Sequence, residues 1–191
     1  MLIIGQPKSG STSLLDTLHM ITGWDKGQRH SGRQRRRVWS LPHQSMVNYS
    51  VYQFQEMAES PVIFKRHAPP TPHNFQIVRD YEIKCVILLR NPQRSLEAYS
   101  RHRNPHGKNE EKEWTDEEKA NKLVLLEKFY NEWQKLKSKD HVMIVEFKDL
   151  VNNPTDTVND ILDFYNLPEL NKVVLRRARY SGWAADHMEE E

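Results

Sequence analysis

The chain has 191 residues, 28 of them Lys or Arg and 26 Asp or Glu, for a formal net charge of +2. That length suits one domain with a sizeable core, expected to span residues 1–191, and excludes two independent large domains. The near balance of charge argues against a nucleic-acid binder, and the single cysteine excludes an intrachain disulfide.

The opening run "MLIIG" reads as a buried strand, and the spacing of "SLLDTLHMI" predicts a helix over residues 11–22. Between them lies "GQPKSGST", residues 5–12. The segment "DKGQRHSGRQRRRVWS", residues 25–40, is basic and without apolar periodicity, so a mobile loop is expected there. A helical pattern follows at about 48–59, then a second strand, "PVIFKRH".

The third strand, "KCVILLR", places Cys85 in an apolar run, where a buried and inert thiol is expected. The lone thiol fits a reducing compartment, and a cytoplasmic location is expected. A helix is predicted over 92–103, with Pro92 suited to its first turn. The polar stretch "RNPHGKNEEKEW", residues 103–114, is expected to be a second mobile loop. The next helix, 115–138, opens on a capping residue, Thr115, and carries Leu123, Leu126, Phe129, Tyr130 and Trp133. Core packing is its default role, and a homodimer face is the alternative. A fourth strand, "HVMIVEF", and a helix over 155–165 follow. No run approaches the roughly 20 apolar residues of a membrane span.

Alternating strands and helices of this kind predict an α/β fold around a mostly parallel sheet flanked by helices. In such folds ligands bind beyond the carboxyl ends of the strands. The first strand ends on the loop Lys8-Ser9-Gly10-Ser11-Thr12. A tight turn at a helix start directs several backbone N–H groups at one point, where the helix dipole also favours an anion. Gly10 permits close approach, Ser9, Ser11 and Thr12 add hydroxyl donors, and Lys8 supplies charge. The Walker pattern puts its lysine after the last glycine, where this chain has Ser11, so a magnesium nucleoside triphosphate is disfavoured. An ordinary strand-to-helix turn is the alternative at this point. The second strand ends with Lys65 and His67 on one face, a pairing that suggests catalysis. Arg90 closes the third strand, where it can fork onto a second anion.

Together these residues resemble the sulfotransferases that use 3′-phosphoadenosine 5′-phosphosulfate (PAPS), most closely the cytosolic type. "PKSGST" is similar to their 5′-phosphosulfate loop, "FKRHAPP" to the segment carrying their catalytic histidine, and "LLRNPQRSLEAYS" to the element gripping the 3′-phosphate. "VEFKDLVNNPTDTVNDILDFYNLP" resembles a later strand and helix passage, and "RRARYSGWAADHM" an eroded C-terminal element.

The resemblance implies a P-loop-like sheet and in-line transfer of a sulfuryl group from PAPS to an acceptor hydroxyl or amine, leaving PAP. It implies catalytic roles for His67 as general base and for Lys65 and Lys8. Cofactor binding would fall to Lys8, Ser9, Gly10, Ser11, Thr12 and Ser13 at the 5′-phosphate, and to Arg90 and Arg177 at the 3′-phosphate. No metal is expected, since lysines would carry the positive charge. The acceptor would be a small molecule, a glycan or a tyrosyl group.

The chain departs from the family in places. Ala98 stands where a serine to the 3′-phosphate is expected, with Ser95 or Ser100 as substitutes. Ser13 replaces a tryptophan near adenine, leaving Trp24 and Trp183 as stacking candidates. Ala178 and Arg179 break the C-terminal element, and the acid before Trp183 is missing. The basic run "RHSGRQRRR" could attract an acidic protein or sulfated glycan, although a solvated loop is its plainer reading. Two other classes compete with the enzyme reading: a P-loop kinase or other phosphotransferase, and a non-catalytic PAP- or nucleotide-binding protein of the same fold.

Overall fold

A computed structural model describes residues 1–26, 61–102 and 114–175, apart from the side chains of 100–102. The expected helix at about 48–59, the loop segments 27–40 and 103–113, and Arg177, Ala178, Arg179 and Trp183 lie outside the described residues.

Among the described residues five parallel strands form the sheet: β1 Leu2–Gly5, β2 Asp25–Lys26, β3 Val62–Arg66, β4 Cys85–Leu89 and β5 Val142–Glu146, in the order β2-β3-β1-β4-β5. β1 and β4 are buried along their whole length, as expected of uninterrupted apolar runs covered on both sides. Cys85 is fully buried, and burial holds its thiol far above the usual range. In the edge strand β5 only Val142 and Val145 are buried, and Met143, Ile144 and Glu146 are partly exposed.

Successive side chains of a strand face opposite ways, and here they sort into two cores. Leu2, Ile4, Phe64, Cys85, Ile87 and Leu89 pack on one face with helices α2, Pro72–Asp80, and α4, Asp116–Gln134, through Ile77, Val78, Phe129 and Trp133. Ile3, Ile63, Val86, Leu88 and Val145 pack on the other with α1, Ser11–Thr22, α5, Phe147–Asn152, and α6, Pro154–Phe164. Helix α3, Pro92–His102, leaves the end of β4. No helix among the described residues is long and apolar enough to cross a membrane.

Several boundaries differ from the sequence expectation. Asp25 and Lys26, placed in a mobile loop, form a short strand pairing with Val62 and Ile63. The helix expected over 115–138 opens on a capping box between Thr115 and Glu118 but ends at Gln134, with Lys135 as its cap. The expected 155–165 helix runs 154–164 and is preceded by the separate turn of α5. Helix α2 was not expected; Thr71 caps it by accepting from the Asn74 N–H, and Pro72 opens its first turn.

Candidate active site

The carboxyl ends of β1, β3 and β4 bring Lys8, Lys65, His67 and Arg90 to one edge of the sheet, where the α/β topology places ligands. Between β1 and α1 the chain turns through two left-handed residues, Lys8 at φ 66° and Gly10 at φ 77°. Lysine there carries a backbone cost of about 1–3 kcal/mol, a strain typical of functional loops. Gly10 is required twice over. Its φ disfavours a side chain, and a Cβ would come within 2.9 Å of the Phe147 ring. Gly10 supplies no side-chain cap to the amides at the start of α1. Ser9 Oγ is buried without a hydrogen-bond partner. A turn that leaves helix amides uncapped and a buried hydroxyl orphaned, beside a lysine, fits a bound oxyanion.

His67 lies just past the end of β3. Its Nδ1–H donates to the Gly5 carbonyl at 2.6 Å, which fixes the tautomer and leaves the Nε2 lone pair outward. Lys65 Nζ donates to Nε2 at 3.0 Å and to Thr12 Oγ1 at 3.3 Å, so one ammonium group bridges the histidine and the phosphate-type loop. Burial and the Lys65 charge push His67 down to about 3, with Lys8 and Lys122 adding smaller effects against the opposing bond to Gly5. The imidazole is therefore neutral throughout the ordinary pH range. The segment beyond it is held from two sides. Trp133 Nε1 donates to the Ala68 carbonyl at 3.2 Å, and Asn74 Nδ2 donates to the Pro69 carbonyl at 2.7 Å.

Lys8 is lowered to about 8 by burial and by the nearby Lys122 charge. Both ammonium groups lie against the Tyr99 ring, Lys8 at 5.2 Å and Lys122 at 4.2 Å from its centroid. The ring's negative face partly offsets the cost of bringing two cations together. Burial holds the Tyr99 hydroxyl up to about 12, so it remains a neutral phenol. Lys122 and Tyr99 escaped the sequence reading, because each looks like an ordinary residue of a solvated helix.

Arg90 takes a supporting position. It is buried, donates from a guanidinium N–H to the Lys8 carbonyl at 3.1 Å, and stacks 4.2 Å from the Phe147 ring centroid. Its backbone N–H donates to Gln6 Oε1 at 2.9 Å, while Gln6 Nε2 donates to Ser95 Oγ at 3.4 Å. Gln6 and Phe147, also unforeseen, thus lock the loop to β4 and α3. Ser95, one of the substitutes considered for the hydroxyl missing at Ala98, is fully buried and accepts from Gln6. Trp24 packs partly buried against the α1 side of the core. Ser11 and Ser13 are buried at the start of α1, and Thr12 is exposed.

A family model described as a sulfotransferase domain matches residues 1–181. Among solved structures, the chain is similar to mouse sulfotransferase SULT7A1 complexed with PAP, with TM-score 0.55 and 13% identity over 90% of this chain and 59% of that one. It is similar to retinol dehydratase in complex with androsterone and the inactive cofactor PAP, with TM-score 0.56 and 13% identity over 88% of this chain and 60% of that one. It is also similar to a sulfotransferase from Alicyclobacillus acidocaldarius, with TM-score 0.57 and 15% identity over 90% and 82% of the two chains. The chain thus spans about three fifths of the length of the first two. No curated protein matches it in sequence. At these identities the likeness shows the fold, a mostly parallel sheet with flanking helices. The match across residues 1–181 shows the family: the chain belongs to the sulfotransferases.

Proposed function

We propose that the protein is an enzyme transferring a sulfuryl group from PAPS to an acceptor hydroxyl or amine. The observation that carries this reading is the setting of His67, pinned through Nδ1 to Gly5 with Nε2 turned to Lys65 beside the Lys8 loop. Membership of the family supports it, as does the PAP held by two similar structures. When bound, PAPS supplies a sulfuryl group activated by a 5′-phosphate leaving group.

In this reading Lys8, the Ser9 hydroxyl and the amides of Ser9 to Ser13 hold the 5′-phosphate. Arg90 supports that loop and, with Arg177, takes the 3′-phosphate; Ala98 contributes no hydroxyl there. Lys65 leaves Nε2 of His67 and moves onto the transferring group, which frees the lone pair to accept the acceptor's proton. Bound anions also offset the lysine charges and raise the basicity of His67 toward the range a general base needs. Positioning and charge stabilisation carry the transfer, and lysines provide the positive charge.

The acceptor is a small molecule, a glycan or a tyrosyl group, and the androsterone in one similar structure favours the first. Cytoplasmic action within a single domain, and pairing of two copies through α4, whose Val124 and Leu125 are exposed, belong to the same proposal. Incubation with sulfur-labelled PAPS and a panel of phenols, alcohols, amines, glycans and tyrosyl peptides tests it. Label should pass to at least one acceptor without added metal. Magnesium-dependent ATP turnover with no label transfer would point to a phosphotransferase instead.

A further inference from the structure

Phe147 touches both the phosphate-type loop and Arg90. Strands β4 and β5 pair with Leu89 opposite Glu146, so the residues that follow, Arg90 and Phe147, leave the sheet side by side. Both are buried, and the guanidinium carbon of Arg90 stands 4.2 Å over the Phe147 ring centroid. The same ring turns its Cδ2 and Cε2 atoms to Gly10, near enough that a Cβ there would come within 2.9 Å. Arg90 in turn donates to the Lys8 carbonyl at 3.1 Å. Phe147 therefore braces both left-handed residues of the loop, Gly10 directly and Lys8 through Arg90.

A cation on an aromatic face gains most where water is excluded, as it is around two buried side chains. Arginine is otherwise a long side chain that costs entropy to hold in one place. Here a backbone carbonyl fixes one point of the guanidinium and the ring limits how far its plane can swing, so the fork stays at a set distance from the loop. A nucleotide carrying a 5′- and a 3′-phosphate has a nearly fixed span between them, and a grip held at that span selects for both. We propose that Phe147 is a positioning residue that holds Arg90 at the 3′-phosphate while the loop takes the 5′-phosphate, and so sets the preference for a 3′-phosphorylated donor. The assignment rests on the reading of Arg90 as a ligand of that phosphate. Without the ring Arg90 keeps its charge but not its place, and the loss falls on the 3′-phosphate alone. Leucine at 147 keeps apolar bulk against Gly10, which separates the two roles of the side chain.

Calorimetry with PAP and with adenosine 5′-monophosphate, which lacks the 3′-phosphate, tests this. The parent should bind PAP more tightly than the monophosphate. Phe147→Leu should narrow that ratio by about ten-fold, the scale of a desolvated cation–aromatic contact, with affinity for the monophosphate within about three-fold of the parent. Phe147→Tyr, which keeps the ring, should keep the ratio within about three-fold. In Arg90→Lys, which loses the planar fork, adding Phe147→Leu should change the ratio by less than about two-fold, because the partner of the ring is already gone. Melting curves show whether each variant folds, and if Phe147→Leu does not, Phe147→Met takes its place throughout. An unchanged ratio in the variant without the ring, or equal loss of both nucleotides, would overturn the proposal, as would a parent that binds the two equally well. A parent that does not bind PAP at all would remove the donor reading, and this assignment with it, in the first titration.

Discussion

His67 donates from Nδ1 to the carbonyl of Gly5 at 2.6 Å, tying the residue that follows β3 to the last residue of β1. These strands are hydrogen-bonded neighbours, so the sheet itself sets the distance between the histidine and the phosphate-type loop. The end of β1 and His67 are thereby held in register. Gly5 is needed at this point because a Cβ there would collide with the Ser11 side chain at the start of α1.

Lys8→Ala removes the loop's ammonium group without altering its amides. On the proposed function, PAP affinity is expected to fall about ten-fold, and turnover further, since the group would meet the charge that grows on the leaving phosphate. Calorimetry with PAP checks the first part. Equal affinity in variant and parent would contradict it.

Gly10→Ala forces an alanine to φ 77° and presses its Cβ on Phe147. A loss of about 1–3 kcal/mol in stability is expected, seen as a melting temperature several degrees lower, together with weaker PAP binding. Adding Phe147→Leu relieves the clash but not the backbone strain, so it should recover only part of the loss. Complete recovery would assign the whole effect to crowding.

Protonation of His67 is linked to stability with a definite sign. Its folded value, about 3, lies below the ordinary 6.5, so the unfolded chain binds the proton first as pH falls. Stability from this group is therefore full above about 6.5 and declines on acidification toward 3, at a slope on the order of 1 kcal/mol per pH unit. Chemical denaturation at several pH values should show a shallower acid decline for His67→Gln than for the parent. Parallel curves would sink this account of the imidazole.

Binding of PAP should move the same group upward. Its phosphate sets anionic charge beside Lys8 and Lys65, two of the cations that hold His67 low. In imidazole NMR titrations, a pKa at least one unit higher with PAP bound is the expected result; an unchanged value would mean the anion sits elsewhere.

Much of this site was legible because its parts close strands. Uninterrupted apolar runs marked β1 and β4, and a parallel sheet sends whatever follows such runs to one edge, which singled out Lys8, Lys65, His67 and Arg90. Helix α2 was hidden because it is short and a buried polar residue, Asn74, interrupts an apolar side made by Phe75, Ile77 and Val78. Nothing local in the chain marks Lys122 or Tyr99; their meeting with Lys8 follows from how α3 and α4 lie across the sheet edge. Arg90 was legible as a residue facing the site, but not its bond to the Lys8 carbonyl, which depends on loop geometry. Ser95 shows the same limit: a hydroxyl one turn from Ala98 looks available in the sequence, and the fold buries it completely.

The central claim is that His67 takes the acceptor's proton in a site that binds the donor through other residues. Its most direct test is His67→Ala, measured for label transfer from PAPS with the best acceptor of the panel and, in parallel, for PAP affinity. Transfer is expected to fall by about a hundred-fold or more, the scale of a lost general base, with PAP affinity within about three-fold of the parent. Unchanged transfer in a variant that still binds PAP would contradict the account.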